Sequence, residues 1–358
     1  MKRGWVTKPL GEVCTLQRGF DLPTPQRIAG PFPLVSSSGI IDTHAEGPVK
    51  GPGIVTGRSG SIGKIFFITD DFWPLNTTLY VRNFHGNDPQ FIFYLLNKFD
   101  LKRFVGGAGV PTLNRNDVHS ESVFIPEAIP EQQRIVAILD ESFDNIAKAR
   151  ANAEKKLRNT RELFESHVHS AFAKRVANWR VKTLNQIATN LDNKRIPITK
   201  RDRKPGNYPY YGASGIVDYV AEYIFDGDTL LISEDGANLI ARSTPIAFPA
   251  SGKYWVNNHA HILKFEDMAT QRFVEFYLES IKLDKYITGA AQPKLNQKAL
   301  NSIPIPIPDS VADQMLVVTA LEQVAAETQR LESIYQQKIA ALDELKQSLL
   351  HQAFSGQL

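Results

Sequence analysis

The glycine-rich segment 57–64 is the first place in this 358-residue chain where residue types and spacing suggest chemistry. It reads Gly-Arg-Ser-Gly-Ser-Ile-Gly-Lys, and its glycines and lysine are similar to those of a phosphate-binding loop. Such a loop places Ser or Thr after the lysine to hold magnesium, whereas Ile65 follows Lys64 here. The spacing before Gly63-Lys64 is also wrong. We therefore interpret the segment as a turn between two strands.

A pair of histidines is the second candidate. His259 and His261 would face the same side of a β-strand, as two metal ligands can. The sequence offers no third ligand nearby, and the single cysteine, Cys14, excludes a cysteine-based metal cluster and an internal disulfide. The segment Glu344-Leu345-Lys346 is similar to a nuclease fragment, but it falls in a helical stretch where a solvated charge pair is expected. We predict no metal site and no catalytic residue.

Basic and aromatic residues crowd into the segment 194–211. The residues are Lys194, Arg195, Lys200, Arg201, Arg203, Lys204, Tyr208, Tyr210 and Tyr211. The net charge of +3 is small, so this local concentration says more about an anionic partner than the total does. A solvated loop and a nucleic-acid contact both fit the composition.

The chain shows no feature of a membrane or exported protein. It has no uninterrupted run of about 18 apolar residues, as a membrane span requires, and residues 1–5 lack the apolar stretch of a signal peptide. We expect a cytoplasmic protein without membrane contact.

An internal duplication covers nearly the whole sequence. Residues 5–13 match 179–187, and residues 32–42 match 208–218. The matched pairs include Trp5/Trp179, Ser38/Ser214, Trp73/Trp255 and Phe172/Phe354, with offsets of 174, 176, 182 and 182 residues. From Trp73 onward we align the two copies without a gap, and we pair Tyr94 with Tyr277 in this alignment. The chain is therefore one unit written twice.

Each copy begins with a part of mixed strands and helix. Short β-rich runs such as 53–56 and 229–232 are separated by Gly and Pro, and helical stretches follow at 89–104 and 270–287. This pattern predicts the α+β class for both globular parts, which we place at residues 1–130 and 175–312.

Each copy ends in a long helix, placed at residues 131–174 and 313–358. Residues 131–172 and 313–354 contain no Pro or Gly, and apolar residues recur every three or four positions, from Ile135 to Val168 and from Val317 to Leu349 with Leu345 among them. Such a narrow apolar stripe is buried when two helices pack together. We predict a long antiparallel two-helix coiled coil that separates the two globular domains, with a pseudo-two-fold internal repeat.

This arrangement suits a bipartite DNA site. Duplex DNA has local two-fold axes, and dimeric DNA-binding proteins contact half-sites related by them. A single duplicated chain could do the same while its two domains read different half-sites.

The sequence resembles the specificity subunits of type I restriction–modification systems. The first copy carries the resemblance in residues 107–118, which read Gly-Ala-Gly-Val-Pro-Thr-Leu-Asn-Arg-Asn-Asp-Val, in Ile125-Pro126, and in residues 129–140, which begin Ile-Pro-Glu-Gln-Gln-Arg-Ile. The second copy keeps residues 292–296 and 305–308, but has Asp313-Gln314 for Glu-Gln and Leu316 opposite Arg134.

The resemblance implies a non-catalytic subunit. Each target-recognition domain would read one part of a split site in double-stranded DNA, and the coiled coil would set the gap and dock two DNA-methyltransferase subunits. Restriction/translocase subunits would join the full complex. The chain itself would need no cofactor, because S-adenosylmethionine and ATP with magnesium belong to the partners. In agreement, the Asn/Asp-Pro-Pro-Tyr/Phe segment of an amino-methyltransferase is missing from the sequence.

Polar loop residues at matched positions of the two copies are the predicted DNA contacts. They are Arg18, Ser37, Arg58, Ser59, Ser61, Lys64 and Asn76 in the first domain, and Lys194, Arg195, Ser214, Glu234, Asp235, Asn238, Arg242, Asn257 and Asn258 in the second. Asn76 and Asn258, being shared, could instead cap turns. Two alternatives stay open: a specificity module of another, type IIB-like modification system, or an adaptor with two protein-binding domains.

Overall fold

A computed structural model describes residues 2–106, 111–173, 179–289 and 292–358. Residues 107–110 of the family motif and the predicted domain boundary at 174/175 lie outside the described residues. The chain divides into two compact units. The first comprises Met1–Glu154 and Gln336–Leu358, and the second comprises Lys155–Tyr335.

The first unit holds the first globular part. Its strands are β1 (Trp5–Pro9), β2 (Thr15–Arg18), β3 (Phe32–Ser36), β4 (Gly39–His44), β5 (Gly53–Gly57), β6 (Ile65–Ile68), β7 (Trp73–Pro74), β8 (Thr78–Asn83), β9 (Val105–Gly106), β10 (Thr112–Leu113) and β11 (Ser122–Pro126). Its helices are α1 (Leu10–Val13), α2 (Pro89–Lys98), α3 (Arg115–Ser120) and the start of α4 (Ile129–Ala173).

Two larger sheets, two two-stranded sheets (β1 with β11 and β9 with β10) and a helical layer build this part. Strands β2, β8, β5 and β6 pair antiparallel in that order, and β4, β3 and β7 form a second sheet in which β3 and β7 run parallel. Helix α2 begins at Pro89 because the Asp88 side chain accepts a hydrogen bond from the amide of Phe91 at 2.9 Å. Its apolar face packs into a buried core with Ile54 and Leu79 of the first sheet.

The second unit repeats this plan. Its strands are β12 (Trp179–Thr183), β13 (Thr189–Asn190), β14 (Pro205–Gly212), β15 (Gly215–Val220), β16 (Phe225–Asp226), β17 (Thr229–Ser233), β18 (Ala247–Ala250), β19 (Lys253–Val256), β20 (Ala260–Lys264) and β21 (Pro304–Pro308). Its helices are α5 (Leu184–Ile187), α6 (Asn238–Ala241), α7 (Met268–Ser280), α8 (Gln297–Asn301) and the start of α9 (Val311–Ser355). Strand β20 takes the place of β8, and β17 that of β5. The predicted α+β class and the repeat are confirmed.

The match of Tyr94 with Tyr277 is wrong by one residue. Buried residues of α2 include Phe91 and Tyr94, and those of α7 include Phe273 and Phe276. These pairs stand 182 residues apart, as Trp73 and Trp255 do. The buried residues of α2 and α7 therefore correspond at the constant offset of 182, and the two tyrosines do not correspond to each other.

The helices after the sheets are shorter than predicted. Helix α2 ends at Lys98 because Phe99 is extended, and a separate 3₁₀ turn, Leu101–Phe104, follows it, with the Asp100 side chain accepting from the amide of Lys102. Helix α7 likewise ends at Ser280, before a 3₁₀ turn at Asp284–Tyr286. Periodicity alone does not show these breaks, because apolar spacing continues across them.

The two long helices run antiparallel to each other inside each unit. In the first unit Arg134 on α4 donates to the carbonyl oxygen of Leu358, and Arg150 pairs with Asp343 of α9. In the second, Arg161 pairs with Glu332 at 2.6 Å, and residues from both helices share one apolar core. Leu345 is an exception to the predicted stripe, since 47% of it is exposed. The proposed boundaries at 130/131, 174/175 and 312/313 stay a prediction.

A buried glutamine joins each globular part to its long helix. The Gln132 amide donates to the carbonyl oxygen of Pro126 at 3.0 Å and accepts from the backbone amide of Asp88 at 2.9 Å. Gln314 repeats this by donating to the Pro308 carbonyl at 2.9 Å and accepting from the hydroxyl of Thr270. Both glutamines are buried, so their hydrogen bonds fix the start of each helix against the last strand and the helix after the sheet.

No helix in the described ranges is long and apolar enough to cross a membrane.

Replacing Gln132 with Ala should destabilise the first unit by about 2 kcal/mol, because a buried amide and a buried carbonyl lose their partner. Gln133→Ala is the matched control: its side chain is exposed, so a change within about 0.5 kcal/mol is expected. Hydrogen exchange of first-unit peptides across a urea titration measures the free energy of unfolding of both variants. Equal stability of the two variants would contradict the assignment.

Candidate nucleic-acid interface

Three turns of the first globular part meet at one place. The β3–β4 turn carries Ser37, the β5–β6 loop spans 58–64, and Thr77 lies just before β8. A Cβ placed on Gly57 would lie 2.2 Å from the carbonyl oxygen of Ser61 and 3.1 Å from the Cβ of Ser37. The predicted contact residues Ser37, Ser59 and Ser61 are therefore brought together.

The β5–β6 loop is a hairpin loop. Its amides at Arg58 and Ser59 both donate to the carbonyl oxygen of Thr77, at 2.8 and 3.1 Å, and the Arg58 carbonyl accepts from the amide of Leu113 at 2.7 Å. A phosphate-binding loop leads into a helix with free amides, whereas this loop leads into the antiparallel strand β6. The interpretation as a turn between strands is confirmed.

Arg18 and Asn76 converge on Asp21. The Arg18 guanidinium lies 3.3 Å from the Asp21 carboxylate, and the Asn76 amide donates to the same group. Arg18 is exposed, so it can still turn to a ligand. Asn76 is half-buried, and its bond to Asp21 joins two side chains, so it is not the backbone-capping bond expected of a shared turn residue.

The second globular part uses the same backbone hydrogen bonds around a different loop. The amide of Glu234 donates to the His259 carbonyl at 2.9 Å, and the amide of Leu295 donates to the Glu234 carbonyl at 2.7 Å. These bonds repeat those of Arg58. The loop between β17 and β18 is longer and contains α6. Nearby, the hydroxyl of Ser233 donates to the Ala213 carbonyl, which brings the turn with Ser214 alongside.

Beneath this loop lies a charge network that we define as Asp192, Arg195, Glu234, His261 and Lys294. Arg195 lies 2.6 Å from the Glu234 carboxylate, and Lys294 lies 3.2 Å from it. The His261 imidazole has Nδ1 at 2.5 Å from Asp192 and Nε2 at 2.7 Å from the Leu295 carbonyl. His261 and Glu234 are buried, and the Arg195 side chain is only 15% exposed.

The acids of the charge network are held ionised. Burial acts to raise the pKa of Asp192, but the hydrogen bond and charge of His261, with the charge of Arg195, bring it below its usual value. Burial also acts to raise the pKa of Glu234, but the hydrogen bond from Arg195 lowers that pKa below its usual value.

The expectation that no third ligand lies near His261 is wrong. Asp192 and Glu234 both stand beside it, and the ligand atoms of the three residues lie within 4.8 Å of one another. Arg195 and Lys294 already form ion pairs with the Glu234 carboxylate, so cationic side chains compensate the negative charge that a metal ion would otherwise bind. His259 is separate, since it precedes β20, is exposed and pairs with Asp235 at 2.8 Å. The sequence alone did not predict this cluster, because Asp192 precedes His261 by 69 positions.

Two further predicted contacts in the second part hold the loop itself. Arg242 has φ of 49° and its guanidinium donates to the carbonyl oxygens of Leu278 and Ile281, at 3.3 and 2.9 Å, which caps the end of α7. The Asn238 side chain donates to the Thr244 carbonyl and accepts from the Thr244 amide, closing the turn after α6.

The predicted contacts differ in how much of each residue reaches solvent. The exposed ones are Arg18, Ser61, Lys64, Lys194, Ser214 and Asn258; those of intermediate burial are Ser37, Arg58, Ser59, Asn76, Arg195, Asp235, Asn238 and Arg242; and Glu234 and Asn257 are buried. The buried pair cannot meet a ligand without rearrangement of the loop.

The basic segment 194–204 contains both paired and solvated cations. Arg203 lies 3.1 Å from Asp218 and stacks 4.3 Å from the Tyr210 ring centre. Lys194, Lys200 and Arg201 are exposed. Only part of this charge is therefore placed to attract an anion. Cys14 is buried, which raises the pKa of its thiol to about 12 and keeps it protonated.

Residues 2–156 and 177–341 match the family model of the type I restriction modification DNA specificity domain. Each match covers one globular part and the beginning of the long helix that follows it. The chain belongs to this family. It is a type I specificity subunit with two copies of the DNA specificity domain.

Known relatives agree with this membership. Over 147 residues, or 41% of the chain, it is 36% identical to a protein described as a type I restriction enzyme specificity subunit of Haemophilus influenzae. That alignment spans 37% of the relative's length.

Solved structures share the fold of this specificity subunit. One, from work on complex assembly and conformational transition of the type I R-M system, has a TM-score of 0.80 at 18% identity and covers 100% of this chain and 99% of its own. An HsdS subunit from Thermoanaerobacter tengcongensis has a TM-score of 0.61 at 19% identity, with 100% and 98% covered.

Arg195→Ala should destabilise the second unit by about 3–5 kcal/mol, because it leaves buried carboxylates without their cation. The matched control is Lys194→Ala, whose exposed side chain should change stability by less than about 0.5 kcal/mol. Urea unfolding followed by hydrogen exchange of second-unit peptides tests this. An Arg195 variant of normal stability that binds DNA weakly would instead make Arg195 a direct contact.

Proposed function

We propose that this specificity subunit recognises a bipartite DNA sequence and catalyses no reaction itself, each globular domain reading one half. The main support is that both domains hold their loops by the same backbone hydrogen bonds, at Arg58 and at Glu234, while the loops differ in length and charge. Two domains that bind different half-sites need different loops, and a shared backbone structure can hold both.

In this proposal the exposed polar residues of the loops face the duplex. Lys64 and Lys194 contact phosphates, and Ser61, Ser214 and Asn258 reach base edges. Glu234, Arg195 and Arg242 do not contact DNA and instead fix the loop in the second domain. Asn257 holds its own turn, because its side chain accepts a hydrogen bond from the amide of His259. Arg58, half-exposed at the start of its loop, is the first domain's candidate for a guanine contact.

We further propose that the long helices set the unread gap and dock two methyltransferase subunits, and that restriction/translocase subunits join the full complex. S-adenosylmethionine, ATP and magnesium then belong to those subunits. The relative studied for complex assembly in a type I R-M system supports this proposal.

Duplex binding by the complex with methyltransferase subunits should weaken steeply with salt. Lys64→Ala and Lys194→Ala should each reduce the slope of log affinity against log salt by about 1, since each removes one phosphate contact. Lys338→Ala, an exposed lysine on α9, is the control and should leave the slope unchanged. Fluorescence anisotropy at several salt concentrations measures the slopes. Affinity that ignores both salt and sequence would favour a protein-binding adaptor.

Removing seven residues from each long helix should shorten the gap. Deleting 151–157 with 336–342 takes out two turns between the Arg150–Asp343 and Arg161–Glu332 pairs and keeps the helical register. At about 1.5 Å per residue the loss is about 10 Å, or roughly 3 base pairs.

Sequencing of the methylated sites gives the gap directly. Replacing the same fourteen residues with unrelated helix-forming sequence of equal length is the control, and it should leave the gap unaltered. A deletion variant that methylates sites with the original gap would show that the helices do not set it.

A further inference from the structure

An exposed strand has nearly the same sequence in both copies. Residues 39–46 read Gly-Ile-Ile-Asp-Thr-His-Ala-Glu, and residues 215–222 read Gly-Ile-Val-Asp-Tyr-Val-Ala-Glu. They form β4 and β15 with the two residues that follow each strand. Both strands lie at the edge of their sheet, and we call them the repeated edge strands.

The fold accounts for some of the shared residues. Gly39 and Gly215 have φ of +113° and +114°, which side chains rarely adopt. The alanines lie where two backbone segments touch: a Cβ on Gly30 would lie 2.4 Å from the Cα of Ala45, and Gly206 repeats this against Ala221 at 2.3 Å.

The fold does not account for the aliphatic pair after each glycine. Ile40 and Ile41 are 60% and 47% exposed, and Ile216 and Val217 are 46% and 56% exposed. The register shifts at each pair: Leu34 faces Asp42 but Val35 faces Ile40, so Ile41 is the extra residue of a β-bulge. Val217 is the extra residue of the matching bulge in the second copy. Each bulge leaves two adjacent aliphatic side chains exposed. Retaining such surface twice gives the folded chain little stability, which points to a partner.

The shared acidic residues indicate what kind of partner this is. Asp42 and Glu46 are exposed beside the first pair, and Glu222 is exposed beside the second, where Asp218 lies 3.1 Å from Arg203. Carboxylates next to an apolar patch are unfavourable against DNA phosphates. They favour a protein surface that has an apolar pocket bordered by Lys or Arg.

We propose that each repeated edge strand docks one copy of the same protein subunit, and that this subunit is the methyltransferase. The inference rests on the proposed function. Because the two domains are expected to read different bases, a surface kept in both serves a partner that the complex contains twice. The aliphatic pair fills the apolar pocket of that partner, and the acids pair with its cations.

The test uses the full chain assembled with its methyltransferase subunit and measured by native mass spectrometry during titration. Ile40→Gln with Ile41→Gln should weaken binding of one subunit at least tenfold and leave the second unchanged. Ile216→Gln with Val217→Gln should do the same at the other site, and combining all four should weaken both sites. Ile28→Gln and Ile196→Gln, at positions 65% and 54% exposed outside the repeated strands, are the controls.

A second variant guards against misfolding as an explanation. Asp42→Asn with Glu46→Gln changes only exposed groups and should weaken one site at low salt, with the difference from the wild-type chain shrinking as salt rises. Two subunits retained at unchanged affinity in every variant would overturn the proposal. So would a loss of DNA affinity in complexes that still hold both subunits, because the strands would then face DNA. A wild-type chain that takes up no methyltransferase subunit would overturn the proposed function and this inference with it.

Discussion

The amide side chain of Gln132 lies buried where a long helix, a terminal strand and the helix after the sheet all meet, and Gln314 occupies the same place in the second copy. Each of these amides donates a hydrogen bond to a carbonyl oxygen of the last strand, at Pro126 or Pro308. Each also accepts a hydrogen bond at the start of the helix that follows the sheet. A globular domain fixed in this way cannot rotate about the start of its helix without leaving buried polar groups unpaired. The residues of this junction keep the offset of 182 between the copies: Asp88 corresponds to Thr270, Pro126 to Pro308 and Gln132 to Gln314.

The two domains differ in the residues that hold the loop at Arg58 and the loop at Glu234. Both suspend a loop from a pair of backbone hydrogen bonds at Arg58 or Glu234. The first domain has the apolar Leu79 beneath its loop, where the second has His261 within the charge network. The longer loop of the second domain has more backbone to hold, and buried ion pairs with good geometry fix its position. Loops can therefore change in length and chemistry while their frame stays constant.

Much of this architecture follows from sequence patterns. The duplication, the α+β class and the two long helices were predictable, because periodicity and repeated motifs are local signals. Helix ends were less so: the extended conformation of Phe99 ends α2, although the apolar spacing runs on. The predicted pairing of α2 with α7 was wrong by one residue, because Tyr277 lies one position after Phe276, the buried residue that corresponds to Tyr94.

The candidate interface was predictable only in part. Sequence comparison located the loops, but not which of their polar residues point inward. Arg195, Glu234 and Arg242 resembled DNA contacts because they are polar and lie in loops. Their partners, Asp192, His261 and the end of α7, are distant along the chain, so no local pattern could show that these residues hold the domain together.

The central claim is that each domain reads its half-site independently on a repeated frame. The most direct measurement is the methylated motif of a chain in which residues 179–308 are replaced by a second copy of 5–126. Both segments begin at a tryptophan and end at the proline that accepts from the buried glutamine. Independent reading by the two domains predicts a motif whose two halves are inverted copies of the first half-site, with the gap unchanged. A motif that keeps its original second half, or that loses the first, would contradict it.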